Sequence, residues 1–147
     1  MNTVLKNILV ILAGGLIGMV VNMGLIITGN QLIPFDDGMN PMNANMWEIK
    51  YFLFPFLAHA MGTLSGAFIA AKFSASYHML FAICIGIFFL SGGISMVFIL
   101  PAPIWFVVVD LVLAYIPMGW LGWEISNLTT KPTSPILPSS PSLHISQ

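Results

Sequence analysis

Four apolar runs, each long enough to cross a lipid bilayer, constrain this chain more than any other feature of its sequence. A spanning helix needs about 20 mostly apolar residues, because each residue adds about 1.5 Å across a hydrocarbon core about 30 Å thick. Four runs meet this requirement, at residues 4–28, 51–73, 77–100 and 104–123. We therefore predict an all-α fold, a polytopic membrane protein whose residues 1–125 form a four-transmembrane-helix bundle.

The charge content of the chain supports lipid as its main solvent. Charged residues make up 6% of the sequence, whereas globular domains carry about 25%. The formal net charge is −1 and the lysines are scattered, so no basic patch is present to neutralise phosphates, and we predict no nucleic-acid partner. Cys84 is the single cysteine, which excludes an internal disulfide and a thiolate metal cluster.

Prolines affect the predicted spans at three places. Pro55 and Pro117 lie inside the second and fourth runs, and we interpret them as bends, because neighbouring helices can satisfy the carbonyl that a proline frees. The segment 101–103, Pro-Ala-Pro, predicts a tight turn. The third and fourth spans are therefore expected to be antiparallel neighbours.

The lysines predict the orientation of the chain in the membrane. Lys6, Lys72 and Lys131 fall at one end of the predicted bundle, whereas the loop 29–50 at the other end has only Lys50. Cytoplasmic segments carry the excess of basic residues. We therefore expect both termini in the cytoplasm, with the protein in a bacterial inner membrane.

Two segments are predicted to lie in water. The loop 29–50 contains turn-forming Pro-Phe-Asp-Asp-Gly and Asn-Pro sequences and is the only sizeable extracytoplasmic feature. The tail 126–147 is rich in serine, threonine and proline, a composition that cannot bury a core, and we predict that it is disordered.

Small residues at four-residue spacing predict close helix packing, because they let helix backbones approach. The first two spans each carry one pair at this spacing, and the third and fourth carry glycines that share one face, at spacings of seven and three residues. The predicted packing glycines are Gly14, Gly18, Gly62, Gly66, Gly86, Gly93, Gly119 and Gly122. The third and fourth spans carry small residues on two faces, which suggests a second contact surface for a homo-oligomer or for other membrane subunits. A general abundance of glycine in membrane helices is the alternative explanation.

Polar side chains recur at one depth, on all four spans. Counted from the loop end at about 1.5 Å per residue, each lies about 9–14 Å below the membrane boundary. The predicted intramembrane polar layer consists of Asn22, His59, Ser91 and Asp110.

Asp110 is the strongest functional candidate, because a carboxylate surrounded by lipid is costly unless it is paired, protonated or hydrated. His59 is the only other ionisable side chain at that depth, so we predict a contact between the two, with Asn22 and Ser91 completing the hydrogen bonds. The layer is either a proton, cation or small-ligand site that opens outward, or a set of polar contacts that fixes helix register.

No recognisable motif predicts catalysis, since no serine or cysteine is placed with a base and an orienting acid. Met39, Met42 and Met46 in the loop are possible thioether ligands for Cu(I), but methionine is an ordinary filler in such chains, and we predict no metal and no cofactor. The leading hypothesis is a non-enzymatic accessory or self-associating subunit of a membrane complex. The alternatives are a small transporter or ion-conducting protein that uses His59 and Asp110, and an intramembrane enzyme with that pair as acid and base.

Overall fold

The computed structural model describes residues 2–130, which form an all-helical membrane protein. The helices, in chain order, are α1 (Thr3–Leu32), α2 (Ile49–Phe73), α3 (His78–Ile99), α4 (Ile104–Leu113) and α5 (Ile116–Thr130), with one turn of 3₁₀ helix at Ala44–Met46. Four segments are long and apolar enough to cross a membrane, the fourth being α4 and α5 together. No strand occurs in the described residues. The predicted fold class is confirmed.

The fourth span is broken, which corrects the prediction of a bend at Pro117. Helix α4 ends at Leu113 and α5 begins at Ile116, so Pro117 is the second residue of α5. Proline lacks the N–H that would bond the carbonyl four residues earlier, here that of Leu113, and it is best tolerated in the first turn of a helix. By contrast, α2 runs without interruption through Pro55.

Helix α5 extends past the predicted start of the disordered tail at residue 126. Ser126 is buried and its hydroxyl donates to the Trp123 carbonyl at 2.7 Å, while Thr130 donates to the Ser126 carbonyl at 2.6 Å. These hydroxyls bond to the preceding helical turn, so the first polar residues of the tail continue the helix. The rest of the predicted tail, 131–147, lies outside the described residues.

Helix α2 is central and contacts each of the other four helices. Its closest partner is α1, and two glycine pairs bring their backbones together. A Cβ added to Gly14 would lie 2.6 Å from the carbonyl oxygen of Gly66, and one added to Gly18 would lie 2.6 Å from that of Gly62. Only glycine permits this approach, so the α1–α2 contact depends directly on the spacing of these four residues.

Glycines on the fourth span pack inside the same chain. Gly119 lies against the backbone of α3 near Gly86, with an added Cβ 3.2 Å from the Ala82 carbonyl oxygen. Gly122 lies against α2, with an added Cβ 2.8 Å from the Leu64 carbonyl oxygen. This face of the fourth span, one of the two that carry small residues, is therefore occupied within the bundle.

Helices α1 and α4 lie on different sides of the bundle and do not contact each other within residues 2–130. Helix α2 contacts both of them, and α3 also borders the space between them. At the opposite end of the bundle, the Asn7 side chain accepts a 2.8 Å hydrogen bond from the Ala75 backbone N–H, which ties α1 to the α2–α3 connection. Residues of both α1 and α4 line one cavity at the end that carries the loop 29–50, and the gap between the two helices lies there.

Candidate functional site

A cavity of about 480 Å³ occupies the loop end of the bundle. Its walls come from α1, α2, the C-terminal half of α3, and α4, and the loop 29–50 lies over it. Most lining side chains are apolar, among them Ile26, Met96, Val97 and Phe106. This volume and this composition are typical of pockets that bind small organic molecules.

Aromatic side chains fasten the loop over the cavity. The Phe35 ring centroid lies 4.9 Å from those of both Trp47 and Tyr51, and the Phe52 centroid lies 4.5 Å from that of Phe106 on α4. These five residues, the aromatic cluster, connect the loop to α2 and α4. Ring pairs at such separations add stabilisation beyond the area they bury, so the cluster gives the cavity a defined mouth.

Polar contacts reinforce this mouth. The Tyr51 hydroxyl donates to Asp36 at 2.8 Å, and the Lys50 ammonium lies 3.5 Å from Asp36 and 3.2 Å from Glu48. The hydrogen bond from Tyr51, together with the charge of Lys50, holds the pKa of Asp36 below its usual range. Asp36 therefore stays ionised at neutral pH, and two carboxylates flank the one lysine that lines the cavity.

His59 and Asp110 meet at the inner end of the cavity. The His59 Nδ1 atom lies 2.9 Å from Asp110 Oδ1 and 3.0 Å from Oδ2. His59 is on α2 and Asp110 on α4, so the contact joins the two helices across the floor of the cavity. Such a contact offsets the cost of placing a carboxylate inside a membrane.

Tyr115 supplies a second donor to the same carboxylate. Its hydroxyl donates to Asp110 Oδ2 at 2.9 Å, and its ring stacks on His59 with the centroids 5.7 Å apart. Tyr115 is 1% exposed, so its position is enforced by packing on all sides. Both oxygens of the Asp110 carboxyl group therefore have a hydrogen-bond partner, His59 at Oδ1 and Tyr115 at Oδ2.

The pair is reached from the cavity through the histidine. The His59 side chain is 22% exposed and that of Asp110 only 7%. With Nδ1 directed at Asp110, the second ring nitrogen, Nε2, has no hydrogen-bond partner within residues 2–130 and is the polar atom that a bound molecule can contact. A carboxylate that is hydrogen-bonded to one ring nitrogen of a histidine fixes the tautomer and the orientation of the ring.

The structure places the other two residues of the predicted polar layer differently. Asn22 on α1 lines the cavity and packs on Gly62, without a hydrogen bond to His59 or Asp110. Ser91 is exposed and donates to the Phe88 carbonyl of its own helix at 2.7 Å. The prediction that Ser91 completes the site is therefore wrong: depth along a span does not specify the face of the helix, and α3 presents Gly93 to the cavity instead.

Tyr115 is the site residue that sequence reasoning missed. In an unbroken helix, Asp110 and Tyr115 would lie about 140° apart, which assigns them to opposite faces. The break after Leu113 removes this constraint, and the Tyr115 hydroxyl lies 2.9 Å from Asp110 Oδ2. Pro117 is the signal in the sequence that could have predicted this break.

Trp47 contributes an unused hydrogen-bond donor. Its indole Nε1 is buried, without a hydrogen-bond partner in the part of the chain that the structure describes, and its side chain lines the cavity. Buried indole N–H groups usually find a partner. This unpaired N–H therefore lies in the wall of the cavity without being exposed to it.

Comparison of the chain with protein-family models, with curated proteins and with solved structures finds no match.

Proposed function

We propose that this chain is a small proton-coupled membrane transporter, which holds its cargo in the cavity and uses the His59–Asp110 pair as its proton site. The observation that carries the proposal is the position of that pair: a buried, ionisable, hydrogen-bonded contact at the inner end of a cavity. Ionisable groups inside membrane spans generally mark proton or substrate pathways. A purely structural contact would not require one of its partners to face the cavity.

The hypothesis of an accessory or self-associating subunit stays a prediction. It rested partly on small residues on two faces of the third and fourth spans, and the fourth span uses Gly119 and Gly122 within the bundle. On α3, by contrast, Cys84 and Ser91 are exposed. The native mass of the protein in lipid nanodiscs separates the possibilities, because an accessory subunit co-purifies with a partner at a reproducible stoichiometry.

The orientation belongs to the same proposal. With Lys6 and Lys72 at the end opposite the loop, the excess of basic residues places that end in the cytoplasm and the mouth of the cavity outside, in a bacterial inner membrane.

Proton flux through liposomes that contain the purified protein tests the proposed function. Because a coupled transporter moves protons only together with or in exchange for cargo, the assay includes a panel of small organic molecules on both sides of the membrane. We expect flux driven by a pH gradient and followed with an entrapped pH-sensitive dye. Asp110→Asn should reduce this flux to the level of empty liposomes, because the amide of asparagine cannot carry the negative charge that a carboxylate places next to His59. Glu124→Gln is the matched acid-to-amide control, since Glu124 does not line the cavity, and its flux should equal that of the natural protein. Equal flux in the Asp110→Asn protein, with its helical content retained, would contradict the proposal.

Chemical labelling tests whether water enters the cavity and from which side. In a Cys84→Ser background, we expect Val97→Cys on the cavity wall to react with a membrane-impermeant methanethiosulfonate added to intact cells. Val112→Cys is the control; Val112 is 59% exposed, does not line the cavity and faces lipid, where the thiolate does not form. Labelling of Val97→Cys only after the cells are opened would reverse the proposed orientation. Absence of labelling of Val97→Cys in intact cells and in opened cells alike would show that the cavity is closed to water.

A further inference from the structure

The charges around the cavity define the class of molecule that it can hold. The loop and the start of α2 carry three carboxylates (Asp36, Asp37 and Glu48) and the single ammonium of Lys50, a formal charge of −2 in the segment that lies over the cavity. Of these four side chains, Lys50 alone lines the cavity itself. Lys50 is the only basic side chain in the loop 29–50, and it is already flanked by Asp36 and Glu48. The mouth therefore attracts cations and repels anions.

The walls and the floor favour the same class. The side chains of the aromatic cluster line the cavity, and aromatic rings attract organic cations. The floor carries the Asp110 carboxylate, which is the only acidic side chain that lines the cavity in the described residues. The lining between them is apolar, so the body of the bound molecule must be apolar as well.

Few other ionisable groups face the pair. Tyr115 donates to Asp110, and Lys50 and Tyr51 line the cavity from the start of α2. Within the described residues, α1 and α3 direct no titratable side chain at the cavity. Charge changes at the floor therefore fall on His59 and Asp110.

We infer that the cavity binds lipophilic monocations, amines with an apolar body, and that binding of each cation displaces one proton from His59. This inference rests on the proposed function and names the cargo class of the same site. It follows from the geometry of the pair, the aromatic mouth and the distribution of charge.

The exchange balances in charge and in atoms. In the proposed exchange, imidazolium and carboxylate form a pair without net charge before the cation binds. An entering ammonium would leave a net charge of +1, so the Nε2 proton of His59 leaves through the mouth to water while Nδ1–H remains bonded to Asp110. The Nε2 lone pair then accepts a hydrogen bond from the ammonium N–H. One cation has entered, one proton has left, and the site is neutral again.

Three molecules with one body and different head groups test this inference: 4-phenylbutylammonium, 4-phenylbutanol and 4-phenylbutyrate. Calorimetry with the full-length protein in nanodiscs of uncharged lipid measures their binding, and repetition in buffers of different ionisation enthalpy counts the protons released. We expect the ammonium to bind at least about tenfold more tightly than the alcohol or the carboxylate, with release approaching one proton per molecule bound at pH values where the pair begins protonated.

Variants assign the effect to the pair. Asp110→Asn should remove both the preference for the ammonium and the proton release, whereas Glu124→Gln should preserve both. If Asp110→Asn does not fold, the comparison of head groups on the natural protein still decides the inference, because it needs no variant. Fluorescence of Trp47, judged against Trp47→Phe, reports whether the molecule occupies this cavity.

The possible outcomes distinguish a failure of this inference from a failure of the proposed function. Tighter binding of the alcohol or the carboxylate, ammonium binding without proton release, or no binding of any of the three overturns the inference. Asp110-dependent proton flux that persists in any of these cases leaves the proposed function standing. Absence of Asp110-dependent flux overturns the proposed function, whichever head group binds.

Discussion

Gly18→Ala is expected to destabilise the bundle by about 1–3 kcal/mol, the usual cost of forcing an extra carbon into a well-packed contact. The added Cβ would lie 2.6 Å from the Gly62 carbonyl oxygen of α2 and 2.7 Å from the Phe89 ring of α3. The first of these atoms is backbone and cannot rotate away, so α1 must move as a whole. Alanine otherwise favours a helix over glycine by about 0.5–1 kcal/mol, so a net loss of stability reports the contact between the helices.

Gly24→Ala is the matched control on the same helix. Gly24 is exposed and nothing lies within 4 Å of an added Cβ, so the variant should be as stable as the natural protein or slightly more stable. Thermal unfolding in a mild detergent, followed by circular dichroism, measures both variants. A Gly18→Ala protein that unfolds at the same temperature as Gly24→Ala would show that the close contact of α1 with α2 does not stabilise the bundle.

Gly93→Ala is expected to disable the site without changing any ionisable residue. Its added Cβ would overlap the Tyr115 hydroxyl and lie 2.6 Å from the Tyr115 Cζ atom. Tyr115 is fully enclosed, so its ring can yield only by leaving Asp110. We expect a loss of about 1–3 kcal/mol in stability and at least about a tenfold fall in proton flux, because the carboxylate loses a donor that holds it in place.

Gly92→Ala is the control for this prediction, one residue away on α3. Nothing lies within 4 Å of a Cβ at that position, and both flux and unfolding temperature should be unchanged. Tyr115→Phe removes the hydroxyl while keeping the ring, so it should lose flux to a similar degree with a smaller loss of stability. If Gly93→Ala conducts protons as well as Gly92→Ala does, Tyr115 has no part in the function of the pair.

The depth of a site residue in the membrane could be predicted from the sequence, whereas the direction of its side chain could not. Counting residues along the spans placed His59 and Asp110 at one level, and the structure brings the two together. The same count included Ser91, which faces away from the cavity. Depth depends only on the rise per residue, whereas the face of a helix that meets its neighbours depends on how the helices rotate as they pack.

The number of spans, the apolar lengths and the close-packing glycines are properties of the sequence by itself. Lipid satisfies no backbone hydrogen bond, so a long apolar run must be helical, and its composition decides this without reference to the rest of the chain. The eight glycines predicted at helix contacts are all buried, because small residues three, four or seven positions apart lie on one face of any helix.

Only the tertiary structure decided that a cavity exists, which side chains surround the Asp110 carboxylate, and that Tyr115 is among them. The cavity arises because α1 and α4 do not meet, and Tyr115 reaches Asp110 because the fourth span breaks before Pro117. Both features depend on contacts between residues far apart in the chain, and packing of several helices at once determines them. Hydropathy and spacing describe one helix at a time, and therefore predict the helices but not the space between them.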